Sequence, residues 1–245
     1  MANITFNSVD LSAQGLVTSE ANGLHTLAPM ELRRVMRPGT PVPSDIKLYR
    51  SLVTLTFKCV TVATTHANLV TALNTLKGYL SPELGWKYLL STDVSSKRTL
   101  ARCLGFPVNI DALPYDTDCV EYDLAFERLP FWEDSSAQTA TNPSSVNNDG
   151  QLPCYPVYTC TCTAACGSGI KFTVNGKSFT YSSALAINDV VVVDAEACTV
   201  TKNAANAISG VLSTTEFPEL ATGSNTCTKD VGTFTWAWSY RRRYE

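Results

Sequence analysis

The chain is poor in charge. Lysine, arginine, aspartate and glutamate make up 17% of its 245 residues, against about 25% in an ordinary soluble domain. Basic residues number 19 and acidic residues 22, a formal charge of −3. That balance argues against a protein that grips nucleic acid by its phosphates, which needs a basic face. Histidine is scarce as well, with only His25 and His66. There is no G-x-S-x-G, no H-E-x-x-H and no P-loop, so the common hydrolase and nucleotide chemistries lack their motifs. The longest purely apolar run, Val190 to Val193, falls far short of the roughly 20 residues that span a bilayer. Residues 1–15 have neither a basic n-region nor an apolar h-region. The expectation is a chain made soluble in a cytosol, without membrane partner or cofactor.

What replaces the charge is Thr, Ser, Asn and Ala. Hydrophobic residues still make up 44% of the chain, enough to bury a core and to exclude disorder for most of its length. A polar but weakly ionised surface repels neighbours poorly, which points to permanent assembly. Nine cysteines, an odd number without an export signal, read as free thiols.

Composition shifts after Asp134. The stretch SSAQTATNPSSVNNDG, Ser135 to Gly150, has almost nothing apolar and several turn formers, so it reads as a linker or long loop between domains 1–134 and 151–245. In the first domain, Leu69, Leu73, Leu76 and Leu80 have helical spacing, with Thr64 or Thr65 as N-cap and Pro82 beyond the end. Around them, Leu52–Val62 alternates, and Val120, Tyr122, Leu124 and Phe126 share a strand face opposite Glu121, Asp123 and Glu127. Trp86–Leu90 and Ala101–Ile110 are further strand candidates. The order predicts an α+β layer, a sheet with one packed helix. The second domain reads as all-β. Val157–Thr163, Ile170–Val174, Asp189–Asp194, Cys198–Val200 and Phe234–Tyr240 are its strands. Asn175-Gly176 is a hairpin turn, because both residues tolerate positive φ. A sandwich follows.

Four constellations invite a chemical reading. Cys154, Cys160, Cys162 and Cys166 lack the paired spacing of a zinc site. They read as core fillers, with a metal site and a disulfide as the competing alternatives. Cys59, Cys103, Cys119, Cys198 and Cys227 also read as buried thiols. Glu121, Asp123 and Glu127 could pass for glycosidase carboxylates, but their alternation reads more simply as a solvated or interface edge. Phe234, Trp236, Trp238 and Tyr240 form either a sugar-stacking platform or, the better reading, the inner face of a sandwich. Arg241, Arg242 and Arg243 read as anchors to carboxylates across an interface. No residue qualifies as catalytic.

Several segments, taken in order, carry a resemblance. They are ITFNSVDLS (Ile4–Ser12), EYDLAFERLPFWED (Glu121–Asp134), NNDGQLPCYPVYTC (Asn147–Cys160), VVVDAEACTVTKN (Val191–Asn203), EFPELATGSNT (Glu216–Thr226) and FTWAWSYRRRYE (Phe234–Glu245). Together they resemble the distal tail protein family of long-tailed, siphovirus-type phages. The resemblance implies a galectin-like second domain and a non-enzymatic virion subunit at the tail tip, assembled in the host cytoplasm. It implies a homo-hexameric ring made by the first domain, joining the tail tube protein to the tail hub and tape-measure components. The outward sandwiches then carry or face receptor-binding proteins, and DNA passes through the lumen without sequence-specific contact. A different class of function, a carbohydrate- or receptor-binding module built on the sandwich, stands as the alternative. The length leaves no room for a large inserted carbohydrate-binding module.

Overall fold

A computed structural model describes residues 3–35 and 44–245. The chain divides into two compact units, residues 1–132 with Glu245 and residues 133–244.

In the first unit the strands are β1 (Ile4–Phe6), β2 (Val9–Asp10), β3 (Leu16–Asn22), β4 (Met30–Val35), β5 (Ser44–Arg50), β6 (Val53–Val62), β7 (Lys87–Ser91), β8 (Lys97–Cys103) and β9 (Cys119–Arg128). One helix, α1 (His66–Tyr79), lies between β6 and β7. The main sheet runs β2-β1-β7-β8-β9-β6-β3, and β4 and β5 pair only with each other. Its spine is the antiparallel β6–β9 ladder, in register from Val53↔Arg128 to Val62↔Cys119. Strict alternation explains the register: Val53, Leu55, Phe57 and Cys59 are buried, as are Leu124 and Phe126 opposite them. Phe126 is the hub of this layer, with ring centroids 5.1 Å from Phe6 and 5.9 Å from Phe57.

The helix forms where the leucine spacing predicts it and covers this inner face. Thr65 is extended, and its Oγ1 accepts the Asn68 N–H at 3.2 Å, supplying the N-cap. Leu69, Leu73, Leu76 and Leu80 are fully buried, worth about 1.5–3 kcal/mol each in apolar burial. Among the described residues α1 is the one α-helix, so no α-helix lies on the opposite face of the sheet.

The second unit is a β-sandwich. Its strands are β10 (Trp132–Asp134, entering from the first unit), β11 (Gln138–Thr141), β12 (Ser145–Asn148), β13 (Val157–Cys162), β14 (Ile170–Val174), β15 (Lys177–Tyr181), β16 (Val190–Asp194), β17 (Thr199–Lys202), β18 (Ala205–Asn206), β19 (Gly223–Val231), β20 (Phe234–Tyr240) and β21 (Arg243–Tyr244). One sheet runs β11-β20-β13-β16-β17-β18 and the other β12-β19-β14-β15. Aromatic rings from both sheets fill the space between. Phe172 of β14 stands 4.9 Å from Tyr158 of β13 and 5.4 Å from Trp236 of β20. Asn175 (φ 48°) and Gly176 (φ 82°) make the β14–β15 turn that the sequence announces.

Three expectations are corrected. Residues 135–150 are not a linker: β11 pairs with β20 and β12 with β19, so this segment contributes a strand to each sheet. Its polarity misleads because an edge strand is held by backbone bonds. Asn148, moreover, is buried by donating to the Leu152 and Leu220 carbonyls at 3.1 and 3.2 Å. The strand expected over Ala101–Ile110 stops at Cys103, where Gly105 (φ 151°) and Pro107 break the ladder. The strand expected from Cys198 starts at Thr199, because Cys198 takes φ 51° in the preceding turn.

Candidate assembly surfaces

The residues with chemical potential disperse once the chain is folded. His25 is exposed in a loop. His66 opens α1, its Nδ1 donating to the Thr117 carbonyl at 3.3 Å and its ring 5.5 Å from Tyr115. Among the described residues no group of three or more His, Cys, Asp or Glu is placed to hold a metal ion.

Cys154, Cys160, Cys162 and Cys166 are buried free thiols. Burial pushes the Cys154 thiol up to about 12 and the Cys162 thiol up to about 11, and raises that of Cys160 as well. Thiols so hard to ionise are poor nucleophiles and poor ligands. Cys59, Cys103 and Cys227 are buried too, whereas Cys119 and Cys198 are exposed, against expectation. Cys119 ends the β9 ladder opposite Val62 on the uncovered face, and Cys198 sits in a turn.

The aromatic stripe of β20 is core. Phe234, Trp236 and Trp238 are buried, and Trp238 stacks edge-on to both Trp236 and Tyr158 at 4.9 Å. They offer no platform for a sugar. The terminal arginines do find oxygen partners, but within their own unit. Arg242 Nε donates to Asp134 Oδ2 at 2.7 Å, Arg243 pairs with Glu196, and Arg241 donates to the Asp134 carbonyl at 2.9 Å. Asp134 also accepts from the Tyr244 hydroxyl at 3.1 Å. The expectation of contacts across an interface is thereby corrected, because Asp134 lies beside the chain end in the β10–β21 pair.

What the first unit presents is surface. Glu121 and Asp123 are exposed on β9, where β8 no longer pairs with it; β8 reaches only the stretch Phe126–Arg128. Beside them Lys58 bonds Glu20 at 2.7 Å. Glu127, further along β9, is half-buried and held by Arg102 at 2.6–2.7 Å. The three acidic residues therefore belong to one polar sheet face and are not convergent. At one end of the sheet, β3 shows no ladder partner beyond β6 among the described residues, over seven residues that include exposed Val17. Sequence reasoning did not find this edge, because pairing order is a long-range property and β3 has no strong alternation.

In the second unit the corresponding edge is closed. The segment after residue 211 runs along β15, with Leu212 N–H bonding the Thr180 carbonyl at 3.3 Å and Glu216 N–H the Ser178 carbonyl at 3.1 Å. An open edge is a template for another chain, and proteins cover those they do not use.

Residues 149–244 match the model of a siphovirus-type tail component, C-terminal domain. No curated protein sequence matches the chain. Among solved structures, the crystal structure of SPP1 Dit, described as a paradigm of the hub adsorption apparatus in Gram-positive infecting phages, aligns over 100% of both chains, with a TM-score of 0.78 and 12% identity. A chain of the phage P2 baseplate in its activated conformation with Ca aligns over 99% of this chain and 98% of its own, with a TM-score of 0.50 and 5% identity. The same baseplate with Sr gives a TM-score of 0.50 at 5% identity. Such low identities show a shared fold, a helix-backed sheet followed by a sandwich, along the full length of the chain. Residues 149–244 thus carry the signature of a siphovirus-type tail component's C-terminal domain, and the chain shares the fold of SPP1 Dit from end to end.

Proposed function

We propose that this chain is a non-catalytic structural subunit of the phage tail tip. In this reading its first unit closes into a homo-hexameric ring that joins the end of the tail tube to the tail hub and tape-measure components. The sandwich units then carry or face receptor-binding proteins, and DNA passes through the lumen. The observation that carries the reading is the seven-residue β3, which among the described residues has no ladder partner beyond β6 and borders a sheet face with no α-helix on it. A closed ring requires two different complementary surfaces on each subunit, and the first unit leaves uncovered the kind of surface that the second unit covers. The similarity to hub and baseplate chains supports the same reading.

Mass photometry of the purified chain across a concentration series tests it, together with negative-stain images of tails. A discrete closed oligomer and an annular density at the tail tip are expected. A chain that stays monomeric at every concentration and is absent from virions overturns the reading. A monomer that captures glycans on an array would instead support the binding-module alternative.

A further inference from the structure

The uncovered face of the first unit's sheet is not uniform. At the β7–β8 end, Trp86 and Tyr88 are each 38% exposed. The Arg98 guanidinium lies 3.5 Å from the Tyr88 ring centre and that of Arg102 lies 5.4 Å from the Trp86 ring. Leu90 and Leu100 share this face in the β7–β8 register. Trp, Tyr and Arg are the residue types that dominate binding energy at protein interfaces. Here they are grouped, each guanidinium packed against a ring, and Arg102 also pairs with Glu127 at 2.6 Å.

At the β9–β6–β3 end the same face carries Glu20, Glu121 and Asp123 against one cation among the described residues, Lys58. A depression of about 450 Å³ opens there among Ser19, Lys58, Val60, Glu121, Tyr122 and Asp123. One end of the face is thus aromatic and, with two arginines to Glu127, basic on balance, and the other is concave and acidic. The two ends lie on opposite flanks of the β8–β9 junction in the sheet order, with β3 outermost on the acidic side. On the other side only the three-residue β1 and the two-residue β2 extend past β7.

We propose that these ends are the two halves of one contact between copies of this chain: Trp86, Tyr88, Arg98 and Arg102 of one subunit seat against Glu20, Glu121 and Asp123 of the next. The inference rests on the ring reading and deepens it by naming the complementary surfaces. Two unlike patches at opposite ends of one sheet make a head-to-tail contact, the kind that propagates from copy to copy and closes by rotation. A self-matching patch would stop at a dimer. Opposite charges set partner and register, while the aromatic pair supplies the apolar area.

The test uses charge reversal on the full-length chain. One variant carries Glu121→Lys with Asp123→Lys; the other carries Arg98→Glu. Mass photometry follows each variant alone, the equimolar mixture and the unmodified chain, with thermal melts to show that each variant folds. Each variant alone is expected to associate at least about tenfold more weakly, since like charges then face each other. The mixture is expected to regain assembly, because the two reversed ends then meet each other with opposite charge and the two unaltered ends meet as in the unmodified chain. Should folded variants each assemble as the unmodified chain does, or should the mixture fail to recover, the pairing is wrong while the ring reading stands. Should the unmodified chain itself never assemble, the ring reading fails and this inference falls with it. Trp86→Ala gives an independent check: weakened association at unchanged melting temperature supports the patch, and unchanged association counts against it.

Discussion

The Arg128 guanidinium sits 5.1 Å from the centre of the Trp132 ring, and both side chains donate to the same short stretch of chain. Arg128 Nη2 reaches the Thr26 carbonyl at 3.0 Å, and Trp132 Nε1 reaches the Leu24 carbonyl at 3.1 Å. Arg128 is fully buried and its Nε has no partner. Burial pulls its pKa below the usual arginine range. The pair pins the segment that leads into β4, using a cation with costly desolvation. Arg128→Ala is expected to lower stability by about 2–4 kcal/mol, through a cavity and stranded carbonyls. Arg128→Met should lose less, since it fills the space without burying charge. Urea unfolding of both variants checks the order; equal losses would remove desolvation from the account.

Trp238 is a packing residue. Trp238→Ala should cost about 3–5 kcal/mol, as large-to-small core changes do. Trp238→Phe should cost clearly less, because the indole Nε1 is buried without a hydrogen-bond partner and its removal strands nothing. Chemical denaturation of the two variants decides between packing and hydrogen bonding as the source of the loss.

The thiols should fall into two classes. Cys119 and Cys198 are exposed and the other seven cysteines are buried. Alkylation of the native chain is therefore expected to label those two first, and the rest only in denaturant. Peptide mapping by mass spectrometry reads the result, and early labelling of Cys160 or Cys154 would contradict the burial described above.

Asp189 makes the sandwich sensitive to acid. Its carboxylate accepts from Lys202 Nζ, Asn203 Nδ2 and the Ala186 N–H, each at 2.8 Å. These bonds, the one from Lys202 foremost, hold its pKa down to about 2 from an ordinary 3.8. A depressed carboxylate contributes stability that is complete above its unfolded value and lost as pH falls through its folded one. The advantage of the unmodified chain over Asp189→Asn should thus be constant above pH 3.8 and shrink as pH drops toward about 2. Melting temperatures of the two chains across that window measure it, and a pH-independent difference would remove the carboxylate from the explanation.

What could be read from the sequence was periodic and local. Leu69, Leu73, Leu76 and Leu80 mark α1, alternation marks β6 and β20, and Asn175-Gly176 marks a turn, because side-chain spacing and backbone preference act over a few residues. The segment Ser135–Gly150 misled because edge strands draw their stability from partners far along the chain, not from their own apolar content. The terminal arginines misled for the same reason: Asp134 and Arg242 are brought together only by the fold. The surface features were the least legible. That Trp86 faces Arg102 and that β3 has no outer neighbour among the described residues follow from strand order, which no single stretch encodes.

The pairing of β10 with β21 carries a consequence for how such a chain can vary. Asp134 N–H bonds the Arg242 carbonyl at 3.1 Å, so the sandwich begins and finishes side by side. A module whose two ends meet is connected at one place, and it can be exchanged or circularly permuted with little disturbance to what precedes it. Recombination could thus exchange this half as a cassette and leave the helix-backed sheet untouched.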